Sequence, residues 1–150
     1  MQKDIVLELQ DLSSLSWTKF RNSSGTAGSF LKSYSDLNER KVFYKLSNYD
    51  AYQGIIGHEC VNELIVDRLL TILGVEHLHY QLIHADVLID RRSYDTFLCA
   101  SEDFKKRGED KIALDTYYQL ERMEDESPLD FCVRSGWSDY IWKMLVVDFL

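Results

Sequence analysis

A lysine able to neutralise an anion stands one strand after a loop of glycines and hydroxyls, and no other combination in this 150-residue chain has so clear a chemical consequence. From Ser23 to Ser29 the sequence reads SSGTAGS. Gly25 and Gly28 free the backbone to approach an anion and aim its N–H groups at it, while Ser24 and Thr26 add small hydroxyls. Phe30 to about Ser35 and Lys41 to Leu46 then read as two strands joined by a polar turn at Asp36-Leu37-Asn38-Glu39. Alternation puts Lys41, Phe43 and Lys45 on one face of the second strand and Val42, Tyr44 and Leu46 on the other, so Lys45 projects back under the loop. A glycine loop before a hairpin differs from the two familiar phosphate loops, whose glycines open a helix.

The carboxylate to hold such a lysine lies on the next element. Gly57 to Leu73 has helical spacing, with Val61, Leu64, Ile65, Leu69, Ile72 and Leu73 forming a broad apolar arc and Gly74 in the position favoured for a C-terminal cap. Glu59 and Glu63, four apart, project from one side of this helix. Glu63 sits at the border of the arc beside Val66 and Leu70, where it can reach inward. A shift of one turn puts Glu59 in its place.

The remaining elements serve to position these groups. Asp4 to Gln10 alternates as an edge strand, with Ile5, Leu7 and Leu9 on one face, and Leu12 to Phe20 is ambiguous. Val75 to Asp90 and Tyr94 to Ala100 read as further strands joined at Asp90-Arg91-Arg92-Ser93, completing an antiparallel sheet with the first hairpin. The charged stretch from Ser101 to Lys111 marks a boundary, giving units 1–100 and 101–150 in an α+β chain. Helices follow over Ile112 to about Glu121, after Ser127-Pro128, and from Trp137 to Leu150. The last is apolar on most of its circumference, so it needs a cover. Asp148 reads as a partly buried polar residue of that helix.

Composition excludes several classes. A net charge of -8 with no basic stripe argues against nucleic acid or an anionic membrane surface as partner. The acidic, alternating N-terminus is not a signal peptide and no apolar stretch is long enough to span a bilayer, so a cytoplasmic protein is expected. Cys60, Cys99 and Cys132 lack CxxC spacing and read as reduced core residues. His77 and His79 would share a strand face, but a zinc site there lacks its other ligands.

Glycine loop, strand lysine, helix glutamate, further strands, charged connector and helices follow the order of a protein-kinase-like small lobe entering its large lobe. In KVFYKLSNYD with HECVNELIVDRLLTILGV the chain resembles the HipA-type kinases and the related bacterial CtkA-like proteins, in which the helix glutamate lies ten residues before a Leu-Gly, as Glu63 does before Leu73-Gly74. The resemblance covers most of the chain from about Ser23. It implies a phosphate-covering loop over Ser23 to Ser29, Lys45 as the phosphate lysine, Glu63 as its partner, and an adenine-meeting hinge around Cys99 to Asp103. It implies ATP and Mg as ligands and makes Ser23, Ser24 and Ser29 candidates for phosphorylation.

The departures from that family matter as much. No HRD, DRH or DFG triplet occurs, and the family's catalytic loop would begin where the sequence ends, at Leu150. The expectation is an N-terminal kinase fragment with no catalytic residue within the chain, inactive alone and at best weakly ATP-binding. Phe43 stands two before the lysine, where the general pattern VAIK has alanine above the adenine. The rival expectation is a noncatalytic interaction scaffold that forms a homo-oligomer through Trp137 to Leu150.

Overall fold

The structure is a computed structural model and describes residues 4–18, 30–37, 40–105 and 108–148. The architecture is α+β, and the chain divides into two compact units, Met1–Phe104 and Lys105–Leu150. Among the described residues the first unit holds β1 (Ile5–Asp11), β2 (Lys32–Leu37), β3 (Arg40–Leu46), a small ladder of β4 (Tyr49–Asp50) with β5 (Gly54–Ile55), α1 (Glu59–Ile72), β6 (Gln81–Ile89) and β7 (Arg92–Glu102). The second holds α2 (Leu114–Glu121), α3 (Pro128–Arg134) and α4 (Ser138–Asp148).

The five main strands form one sheet in the order β1-β6-β7-β3-β2. The β2–β3, β3–β7 and β6–β7 pairs are antiparallel, but β1 runs parallel to β6, with Ile5 opposite Leu82. The sheet is therefore mixed, not antiparallel as the pattern of strands suggested. Short turns force neighbouring strands to reverse, whereas β1 meets β6 only after most of the unit has intervened, and that length leaves either direction open. β6 begins at Gln81, so residues 75–80, expected as strand, instead form the irregular connection from α1 to it. Asp90 and Arg91 both have positive φ (48° and 68°), which closes the β6–β7 hairpin in two residues with the twist of a type I′ turn.

Each face of the sheet has its own core. On one, Tyr44, Leu46, Ala85, Val87, Leu98 and Ala100 are buried beneath Leu12, Leu15, Trp17, Leu31, Tyr49 and Ile55. On the other, α1 lays Cys60 and Leu64 against Leu82 and Cys99. The buried side of α1 is Cys60, Leu64, Asp67 and Leu70. Of the arc expected to face the core, Val61, Ile65, Leu69, Ile72 and Leu73 are exposed. A helix with apolar residues on two sides offers no periodicity signal for choosing between them, and the sheet takes the side that carries Cys60 and Leu64.

α1 ends in a Schellman motif: Gly74 has φ 66°, Val75 N–H donates to Leu70 O and Gly74 N–H to Thr71 O. The left-handed residue turns the chain back along the helix. β7 continues to Glu102 opposite Val42, and Asp103 N–H donates to Lys41 O, which carries the first unit four residues past the expected boundary at Ala100.

The second unit is built around Phe131, which is buried among Tyr117, Tyr118 and Trp137 with ring centroids 5.4–5.9 Å apart. Ser127 caps α3 by accepting from Asp130 N–H, and Pro128 occupies the first helical turn. Glu126 accepts twice from Arg134, which brings its carboxyl down to about 2. No helix among the described residues is long and apolar enough to cross a membrane.

Candidate functional site

Lys45 and Glu63 form an ion pair between β3 and α1, with side chains 23% and 29% exposed. Three contacts fix the helix on the strand so that this pair can form. Ser47, just past the end of β3, accepts through Oγ from Cys60 N–H in the first turn of α1 (3.2 Å). Asn48 N–H donates to Glu59 Oε2 (3.1 Å). The Cys60 thiol donates to Lys45 O (3.1 Å). With Glu59 anchored at the turn, the next carboxylate along the same side, Glu63, reaches the ammonium. Of the two glutamates the sequence left open, Glu63 meets Lys45 and Glu59 serves the backbone.

Lys45 Nζ also lies 4.5 Å from the centroid of the Phe30 ring, a cation–π contact on its outer side. Behind it Cys60 and Cys99, remote in sequence, meet as reduced and buried thiols. Both thiols face Lys45 O, Cys60 at 3.1 Å and Cys99 at 3.7 Å. Contact with Cys99 lowers the Cys60 thiol from its ordinary value, helped by Ser47 and the Lys45 charge and opposed by burial. The same contact, together with burial, pushes Cys99 up.

Ser23, Ser24, Gly25, Thr26, Gly28 and Ser29 lie outside the described residues, which resume at Phe30 after Thr18. Thr18 N–H donates to Lys32 O (2.9 Å), Lys32 N–H to Thr18 Oγ1 (3.1 Å) and Ser33 Oγ to Ser16 O (2.8 Å). Lys32 is in turn paired with Lys45 in the β2–β3 register. Thr18 and Lys32, on either side of residues 19–29, are thus bonded to each other beside the strand lysine.

The β6–β7 ladder ends at Gln81–Ala100, while β3 stays paired with β7 to Glu102. Beyond that point Ser101, Glu102, Asp103 and Phe104 line a cavity of about 690 Å³ whose far wall is residues 76–79. Lys45 and Glu63 are not part of its lining. Phe43 is exposed on the Lys45 face, opposite Ser101 in register and 6.4 Å from the Tyr34 ring.

One cluster escaped the sequence reading. His77 and His79 do not stand on a strand, and their missing companion is Asp67, a buried side chain of α1. The only cue was a carboxylate on the apolar side of a helix, and a neighbouring histidine pair is not sufficient to interpret it without the turn at Gly74.

Comparison of the chain with protein-family models, curated proteins and solved structures finds no match.

The linked thiols carry a pH signature. Alkylation of Cys60, followed by mass spectrometry across pH, is expected to have its midpoint below that of an ordinary thiol. Cys99→Ala removes the largest cause of that depression and raises the midpoint most, whereas Lys45→Met raises it less. A midpoint unmoved by Cys99→Ala contradicts the linkage.

Proposed function

We propose that this chain carries the nucleotide-binding lobe of a HipA-like serine/threonine kinase, with Lys45 receiving the phosphates of ATP. The observation that supports it is the Lys45–Glu63 ion pair: a carboxylate from a helix holds a strand ammonium that would otherwise be mobile. Thr18 and Lys32 are bonded beside Lys45 on either side of residues 19–29, which is compatible with Ser24, Gly25, Thr26 and Gly28 acting as the phosphate-covering loop. The backbone of Glu102, on the β6 side of β7 beyond the end of the β6 ladder, suits an adenine edge, and the exposed Phe43 ring supplies a face for the base.

The residues fit a phosphate better than they fit a metal. Among the described residues no three metal-ligating side chains gather at Lys45, so magnesium would arrive on the nucleotide. The 150 residues contain no HRD, DRH or DFG triplet, and the activity proposed for this chain is binding.

Calorimetric titration with ATP and magnesium tests this directly. Saturable binding is expected, and Lys45→Ala should weaken it roughly 10- to 150-fold, the worth of one charge-assisted contact. No heat from a folded sample, or equal binding by Lys45→Ala, would refute nucleotide binding at this lysine.

A second reading, an interaction scaffold, has its own observation. On α4 Tyr140, Trp142, Met144 and Leu145 are exposed, Trp142 at 69%. Apolar surface of this kind favours association of two copies through the helix. Light scattering at micromolar concentration should give a dimer that Trp142→Glu with Met144→Glu dissociates; a monomeric parent protein would count against it.

A further inference from the structure

Three side chains that can each offer a lone pair to a metal converge at the C-terminal half of α1. His77 Nδ1 faces Val75 O, and since a carbonyl only accepts, Nδ1 carries the hydrogen. In a neutral ring Nε2 is then a bare lone pair. It points at Asp67 Oδ1, 3.2 Å away, which is itself an acceptor. The other neighbour of Nε2 is Thr71 Oγ1 at 3.5 Å, whose proton is given to Asp67 O. His79 Nδ1 converges on the same Asp67 Oδ1 at 3.1 Å. Asp67 and His77 side chains are only 2% and 9% exposed, so water does not separate the facing lone pairs.

We propose that Asp67, His77 and His79 form a binding site for a divalent transition-metal ion of the zinc class, with its fourth position open. The three ligand atoms lie within 4.8 Å of one another. The distances of 3.1 and 3.2 Å from Asp67 Oδ1 to the two imidazole nitrogens match the roughly 3.3 Å that separates ligands of a tetrahedral ion bound at about 2.0–2.1 Å. Two imidazoles and one carboxylate are borderline donors that suit zinc better than magnesium or calcium.

The outer contacts are those of a metal site. Val75 O orients His77 and fixes the tautomer that leaves Nε2 free to coordinate, and Tyr80 N–H holds the ligating carboxylate oxygen at 3.1 Å. Arg68 Nε, 3.9 Å from Oδ2, leaves Oδ1 as the coordinating atom. His79 is 73% exposed, and both histidines line the cavity beside Ser101 to Phe104, so an ion can enter and its fourth position can take water or an added ligand. None of this depends on nucleotide binding at Lys45.

The full chain, stripped with a chelator, is titrated with Zn²⁺ by calorimetry and with Co²⁺ by visible absorption. One equivalent of each should bind, Co²⁺ giving the intense bands of a four-coordinate ion, and binding should weaken as pH falls and protonates the histidines. His79→Ala removes an exposed ligand without threatening the fold. It should cost more than the roughly 10- to 100-fold typical of outer contacts, as should His77→Ala, while His58→Ala and His84→Ala bind as the parent. In ¹⁵N spectra Nε2 of His77 should shift on adding one equivalent of Zn²⁺. No saturable binding at micromolar Zn²⁺, equal binding by His79→Ala and His77→Ala, or an imidazolium signal from His77 that Zn²⁺ leaves unchanged would each overturn the site.

Discussion

The ion pair of Lys45 with Glu63 is the constraint on which the first unit turns. It joins the end of a strand to the second turn of a helix, and it forms because Ser47, Asn48 and the Cys60 thiol dock the first turn of α1 on the end of β3. Partly buried charges are costly to leave single, so the pair also penalises any sliding of α1 along the sheet. Glu63 lies one turn after the glutamate that holds the backbone of Asn48 and one turn before the aspartate that gathers His77 and His79. Three carboxylates at four-residue intervals thus give α1 a polar seam, one member engaging the connection after β3, one the strand lysine and one the return segment.

That seam was partly legible in the sequence. The hairpin carrying Lys45 follows from the strand-favouring run over Lys41 to Leu46 between polar turns, and the helix follows from its spacing and the Gly74 cap, both local signals. Glu63 as partner was readable because a carboxylate at the margin of an apolar arc has somewhere to reach. Which side of α1 faces the sheet was not readable, since Leu64 and Leu70 compete with Val61, Ile65, Leu69 and Ile72 on composition alone. The parallel pairing of β1 with β6 and the meeting of Cys60 with Cys99 are long-range, and no local pattern encodes them.

The Asp67 cluster shows the same division. The Schellman turn was foreseeable from Gly74, but its consequence was not: a reversal tight enough to bring Tyr80 N–H and two imidazoles back onto Asp67. A buried carboxylate that accepts from the backbone beyond its own helix makes the helix end part of the sheet's approach. This couples the position of Glu63 to the return segment through one turn of helix.

The most direct test of this central role is a double-mutant cycle between Lys45→Met and Glu63→Gln, read by chemical denaturation of the full chain. A pair that fixes α1 on β3 should give a coupling free energy of about 1 kcal/mol or more. Effects that add to within about 0.5 kcal/mol would mean that the two side chains merely lie near each other and that docking of α1 is set elsewhere.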